Sequence, residues 1–333
     1  MIATGSLACS ACGQCCNSPP ALSLREWFAQ RALFIGSIAI ERVPRRRVGE
    51  RLGADGATHA LNEDDVADHD ALADTLFARA GAPDAGWLSI TLQGYDYPSV
   101  ARCPALAPDG RCTLHGGLHD ELNDALNDAL NDATKPARCA AVPLDPLVPD
   151  RWQPLVLAAR RASTQAPHWR GADCIRDGLE TGATPLIEAG RVIDTQALER
   201  DRNALVFERA LWRDAVAASL LASASARASL AALRPGARLT IAPVPALLAV
   251  ARLSETCRAA CIDVIDRQRA LIDTTVAAAL ARRRLDERVI TQELRGFALA
   301  HARAREELAS VQPSSQPSST PFAHDAERWL NLR

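Results

Sequence analysis

Residues 9–16 read C-S-A-C-G-Q-C-C, which places Cys9, Cys12, Cys15 and Cys16 on one short loop. A thiolate is a soft, polarisable ligand, and the spacing C-x-x-C lets two thiolates from a single turn reach one ion. Here the unit is extended to a third thiolate and doubled by a fourth. Exposed thiols this close together oxidise and cross-link when nothing occupies them. The expected occupant is zinc, iron or an iron–sulfur cluster.

The adjacent pair Cys15-Cys16 adds a constraint. Neighbouring side chains point different ways, so the two do not readily grip one mononuclear ion. Either one of them serves a second metal or both serve a cluster, and further ligands are required downstream. The chain supplies Cys103 and Cys112 in R-C-P-A-L-A-P-D-G-R-C-T-L-H, Cys139 in K-P-A-R-C-A-A-V-P, and Cys174 in G-A-D-C-I. Eight thiolates fill two tetrahedral sites, or hold one cluster with ligands left for a second ion. His115, three residues after Cys112, is a candidate imidazole ligand with a polar strand end as its alternative. His119 and His168 have weaker claims.

The order of these motifs resembles the C-x-x-C-x-x-C-C group of zinc- or iron-chelating proteins, the YkgJ-type cysteine cluster family. The resemblance rests on the N-terminal C-x-x-C-G-x-C-C, then C-P-x-L with a D-G turn and a second cysteine, then K-P-x-x-C. It covers about the first half of the chain. It implies metal chelation, and some relatives resemble flagellin lysine N-methylases. The distance from Cys112 to Cys139 departs from the family spacing.

Composition frames the rest. With 333 residues the chain is long enough for two domains, and 48% hydrophobic content supports a substantial core. Only 4% of residues are aromatic, so that core is expected to be built from Ala, Leu and Val. A net charge of −2 gives no electrostatic case for nucleic acid as the main partner. Lys135 is the only lysine, and that arginine bias lowers the weight of any arginine cluster. No signal peptide is visible, and no stretch reaches the roughly 18–20 apolar residues of a membrane span. The expectation is a cytoplasmic protein with no membrane partner, whose thiols stay reduced for metals rather than disulfides.

The pattern along the chain predicts an α+β fold. Residues 1–180 are expected to form a small cysteine-rich, metal-binding domain with a short β-hairpin. Residues 185–310 are expected to form a mainly α-helical domain. Residues 311–333 read as a flexible linker and a short C-terminal helix that docks through Trp329 and Leu330. Within the first part, Leu24 to Ile40 reads as helical. Residues 61–80 read as a helix capped by Asn62, and Trp87 begins a strand. Asp109-Gly110 is a turn that would bring Cys103 and Cys112 together. The run R-V-P-R-R-R from Arg42 to Arg47 reads as a solvated loop broken by Pro44, with a phosphate or an acidic partner as its functional alternative. Three copies of L-N-D-A at 122–133 read as a short exposed helix inserted in a loop.

In the second part, helical periods run over Gln196 to Leu233, about Ala246–Ile265, Arg267 to Arg284, and Glu287 to Leu308. Cys257 and Cys261, spaced i and i+4, share a helix face, and with no third ligand nearby they read as core residues. Several signatures are missing: G-x-G-x-x-G before a helix, G-x-x-x-x-G-K-[ST], G-x-S-x-G, and the C-x-x-x-C-x-x-C of radical S-adenosylmethionine enzymes. Three functions fit. The first is a metal-chelating cysteine cluster protein with a redox-related role, its helical part free to meet a protein partner. The second is a metal-dependent lysine N-methylase of the flagellin-modifying kind, for which no methyl-donor motif or paired catalytic carboxylates can be read. The third is a structural zinc module that presents helices to another protein.

Overall fold

The structure is a computed structural model that describes residues 4–9, 13, 15, 18–54, 57–81, 85–97, 102–114, 135–162, 174–234, 236–310 and 321–332. Among the expected features, the L-N-D-A repeats, the linker 311–320, and His115, His119 and His168 lie outside the described residues. In chain order the elements begin with β1 (Gly5–Leu7), α1 (Leu24–Ala29), β2 (Gly36–Val43), β3 (Arg51–Ala54), β4 (Ala57–Ala60), α2 (Glu63–Leu76), β5 (Ala78–Arg79) and β6 (Trp87–Gly94). There follow α3 (Ala137–Ala141), α4 (Gln153–Ala162), β7 (Ile175–Asp177), β8 (Thr184–Glu188), β9 (Arg191–Val192) and α5 (Gln196–Glu208). The chain closes with α6 (Asp214–Ala222), α7 (Ala224–Ala232), β10 (Arg238–Ile241), α8 (Val244–Ala251), α9 (Glu255–Arg282), α10 (Arg288–Ser310) and α11 (Pro321–Trp329). The class is α+β, as the sequence predicts, with helix predominating toward the C-terminus.

The central sheet has the order β10-β2-β6-β5 and is antiparallel throughout. Here the sequence expectation needs correction. The stretch Leu24 to Ile40 is not one helix: α1 stops at Ala29, and from Gly36 the chain is strand. Ser23 and Glu26 form a capping box that fixes where α1 starts. Beyond it, I-A-I at 38–40 is a short buried apolar run, which periodicity alone cannot assign to helix or strand. All three residues are buried, because both faces of β2 are covered. β2 pairs with β6 from Gly36↔Gly94 to Val43↔Trp87. Glycine is required at both members of the first pair: a Cβ on Gly36 would lie 2.4 Å from the Trp27 ring, and one on Gly94 would lie 2.4 Å from Pro19.

The helices behave largely as the periodicity predicts, with shifted breaks. The Gln196 to Leu233 segment is divided by a π-helical turn at Arg209–Arg213 and again at Ser223, which caps α7. The expected break near residue 266 is absent, and α9 runs unbroken from Glu255 to Arg282. The real break falls one element earlier, where Ser254 caps α9 by accepting from the Cys257 N–H. Asn62 caps α2 with a full capping box, as expected. α11 docks as expected: Leu330 is buried and the Trp329 ring lies 4.8 Å from that of Phe207.

The main core crosses the division expected near residue 180. It joins Leu22, Ile38, Leu88 and Leu92 to Trp212, Val216, Leu247, Ile265 and Leu330. β10 completes the same pattern by pairing with β2 across about two hundred positions of sequence. Gln268 of α9, fully buried, accepts from the Gly36 N–H and donates to the carbonyls of Arg31 and Phe34. No single described helix is long and apolar enough to cross a membrane.

Candidate metal centre

A second sheet, of order β7-β1-β8-β9, contains the strand that precedes Cys9. The three residues G-S-L of β1 pair with β7 on one side and β8 on the other. Pairing continues one step past the strand, where the Ala8 N–H donates to the Cys174 carbonyl at 2.8 Å. Cys9 and Cys174 therefore leave the sheet at the same end. Cys9 is exposed and Cys174 is half-buried against the small core of Ala141, Leu144, Ile175 and Ile187.

Cys103 and Cys112 flank the turn that D-G predicts. Gly110 has φ +87°, which glycine adopts without strain, and the Arg111 N–H donates to the Asp109 side chain. The expected two-stranded hairpin is reduced to one bridge, Leu106↔Cys112, supported by the Thr113 N–H donating to the Ala105 carbonyl at 2.7 Å. Pro104, which has no N–H, and the Leu106 N–H donating back to the Cys103 carbonyl keep a longer ladder from forming. Cys103 is buried in the main core and Cys112 packs partly against it.

Gly13 links this turn to the C-x-x-C-x-x-C-C loop. It is buried, has φ +71°, and a Cβ there would meet Leu106 Cδ2 at 3.2 Å and the Gly110 carbonyl at 3.4 Å. The middle of the N-terminal loop thus rests on the segment between Cys103 and Cys112. Cys15 is exposed and acts electrostatically on the half-buried Arg160, which donates to the carbonyls of Pro143 and Leu144. Cys12 and Cys16 lie outside the described residues.

Cys139 rides on α3. The helix is anchored at its start by the Ala137 N–H donating to Glu26 at 2.7 Å, and by Arg138 pairing with Asp201 at 2.8 Å. Burial pushes the Cys139 thiol up to about 12, and the neighbouring Cys103 and Cys112 thiols push the same way against the pull of Lys135. Burial likewise pushes Cys103 up to about 11, opposed by a backbone N–H at Ala105 and reinforced by Cys112. Desolvation thus favours the neutral thiol at Cys103 and at Cys139. A cation bound among them would reverse that, since a metal drives a coordinating thiol to thiolate.

Among the described residues, no group of three or more histidine, cysteine, aspartate or glutamate side chains is gathered closely enough to hold a metal ion. Cys103 and Cys112 lie within electrostatic reach of Cys139; Cys9 and Cys174 leave one end of the second sheet; and Gly13 of the N-terminal loop abuts the Cys103–Cys112 turn. Cys257 and Cys261 are fully buried in the main core, as their helical spacing predicts. Two supporting residues escape a sequence reading. Glu26 is legible as a capping residue, but its second oxygen reaching Ala137 is not. Arg160 carries no local signal beyond an arginine pair at the end of α4. No family model, no curated protein and no solved structure matches this chain. The resemblance to the cysteine cluster family accordingly rests on the motifs quoted for it.

Proposed function

We propose that the chain is a metal-chelating protein that holds zinc or an iron–sulfur cluster through thiolates of Cys9, Cys12, Cys15, Cys16, Cys103, Cys112, Cys139 and Cys174. The observation that carries this reading is the seat of Gly13, at the centre of the C-x-x-C-x-x-C-C loop, on Leu106 and Gly110 of the Cys103–Cys112 turn. Segments a hundred residues apart in sequence meet where both carry cysteines. Cys139 on α3 adds support, since Cys103 and Cys112 act electrostatically on its thiol, and Cys174 through its backbone pairing beside Cys9. The donor chemistry fits a soft or borderline ion: the proposed ligands are thiols, from the buried Cys103 to the exposed Cys9 and Cys15. On this reading the eight ligands serve more than one ion, or a cluster with a second site.

The test is metal analysis and visible absorption of anaerobically purified protein. Zinc gives a colourless protein, whereas an iron–sulfur cluster absorbs broadly near about 400 nm. Cys12→Ser is expected to lower metal content sharply, and Cys257→Ser to leave it unchanged, because Cys257 is part of the apolar core. A protein that carries no stoichiometric metal, or full occupancy in the Cys12→Ser variant, would overturn the assignment.

A further inference from the structure

A second site lies at the other end of β2, away from the cysteines. Arg42, Arg45, Arg46 and Arg47, with Pro44, Ala85 and Leu233, line a cleft of about 540 Å³. Four guanidinium groups within six residues repel one another unless acids balance them, and nearby acids are already taken. Glu41 pairs with Arg238 at 2.6 Å, Glu50 with Arg46 at 2.6 Å, and Asp74 with Arg79 at 2.5 Å. Arg42 is spent on backbone, donating to the carbonyls of Ala85 and Ala231, the latter in the last turn of α7. Among the described residues the guanidinium groups of Arg45 and Arg47 make no ion pair, although the Arg47 backbone N–H donates to Glu50, and both side chains are exposed at the cleft. Arg46 adds an unused donor: its Nε is buried and makes no hydrogen bond.

The cleft is shaped by the backbone as well as by flexible side chains. Gly86 has φ +74°, and a Cβ there would lie 2.3 Å from the Val43 carbonyl, so the Ala85–Gly86 wall presses directly on the end of β2. The guanidinium of Arg45 stands 5.6 Å from the centre of the buried Trp87 ring, which limits where its free face points. Guanidinium donors in fixed orientation match phosphate oxygens and bind them in paired, charge-assisted hydrogen bonds. The volume falls within the range of small-molecule pockets, roughly 300–1,000 Å³. We propose that this cleft binds a small phosphorylated anion carrying at least two negative charges, held by Arg45, Arg46 and Arg47. A nucleic acid is disfavoured by the overall net charge of −2, which gives no general attraction for a phosphate backbone.

The experiment is calorimetric titration of the full chain with pyrophosphate, at low and at high salt, against the double variant Arg45→Ala/Arg47→Ala. Both residues are surface-exposed, so the variant should keep the wild-type circular dichroism and melting temperature. Pyrophosphate is expected to bind wild type more tightly than orthophosphate does, to weaken with salt, and to lose about tenfold or more in affinity in the double variant. No heat of binding, equal affinity in the variant, or tighter binding of a single-stranded oligonucleotide than of pyrophosphate would each overturn the proposal.

Discussion

At Glu208 three distant segments place donors on one buried carboxyl. The Leu24 N–H at the start of α1, the Trp212 indole within the π-helical turn, and the Trp329 indole of α11 all donate to it, at 2.6, 3.1 and 3.0 Å. The widened turn after Glu208 carries Arg213 into the same interior, where its Nη1 reaches the Ile90 carbonyl while Nε and Nη2 find no hydrogen-bond acceptor among the described residues. Burial pushes Glu208 up to about 7, against the pull of Arg213 and the three donors, and burial lowers Arg213 to about 10. The raised carboxyl binds its proton more tightly folded than unfolded. Its contribution to stability is therefore complete below the ordinary carboxyl value of 4.5 and is lost as pH rises through about 7. Glu208→Gln copies the protonated form, so this variant should show a flatter decline in urea midpoint between acid and neutral pH than wild type. Parallel slopes would place the titration elsewhere.

Among the elements, α2 offers the cleanest link between a local signal and its energy. Asn62 accepts from the Asp65 N–H at 2.9 Å, and Asp65 returns the bond to the Asn62 N–H at 3.0 Å. Asp65 is also the acceptor for His59 and for the Trp152 indole, so the cap ties α2 to the 3₁₀ turn ahead of α4. Hydrogen bonds from Asn62, His59 and Trp152 hold its carboxyl below the ordinary range, although burial acts in the opposite direction. Replacing Asn62 by alanine should cost about 1 kcal/mol and lower the thermal midpoint by about 2 °C. Calorimetry on the two proteins checks this, and an unchanged midpoint would mean that Asp65's other partners alone hold the helix start.

On the scale of the whole molecule, the shared core governs how the chain unfolds. Strands β2 and β6 belong to the first half, yet they pack with Trp212, Leu247, Ile265 and Leu330 of the second, and β10 closes the sheet. Trp27, Trp87 and Trp212 are each fully buried, so indole fluorescence reports on both halves. Tryptophan fluorescence and far-ultraviolet circular dichroism should therefore follow coincident urea transitions. Helical signal that persists well after the fluorescence change would show that residues 185–310 stand without the sheet.

Local chemistry was legible wherever a residue's role is set by its immediate neighbours. Asn62 ahead of E-D-D marked a helix start, Asp109-Gly110 marked a turn, and the i, i+4 pair Cys257 and Cys261 marked a buried face. The C-x-x-C-x-x-C-C loop marked candidate ligands for the same reason, since thiol spacing is a local property. What escaped the sequence depends on what packs from far away. I-A-I at 38–40 became strand because β6 and β10 lie on either side of it, and the break expected near residue 266 vanished because Gln268 is held by backbone groups of Arg31, Phe34 and Gly36. The tertiary structure alone decided that Gly13 sits on the Cys103–Cys112 turn, that the buried carboxyl of Glu208 gathers both ends of the chain, and that Arg45 and Arg47 line a cleft with Ala85 and Leu233. Each is a contact between segments whose separation no local period encodes, fixed instead by which apolar faces the chain must bury together.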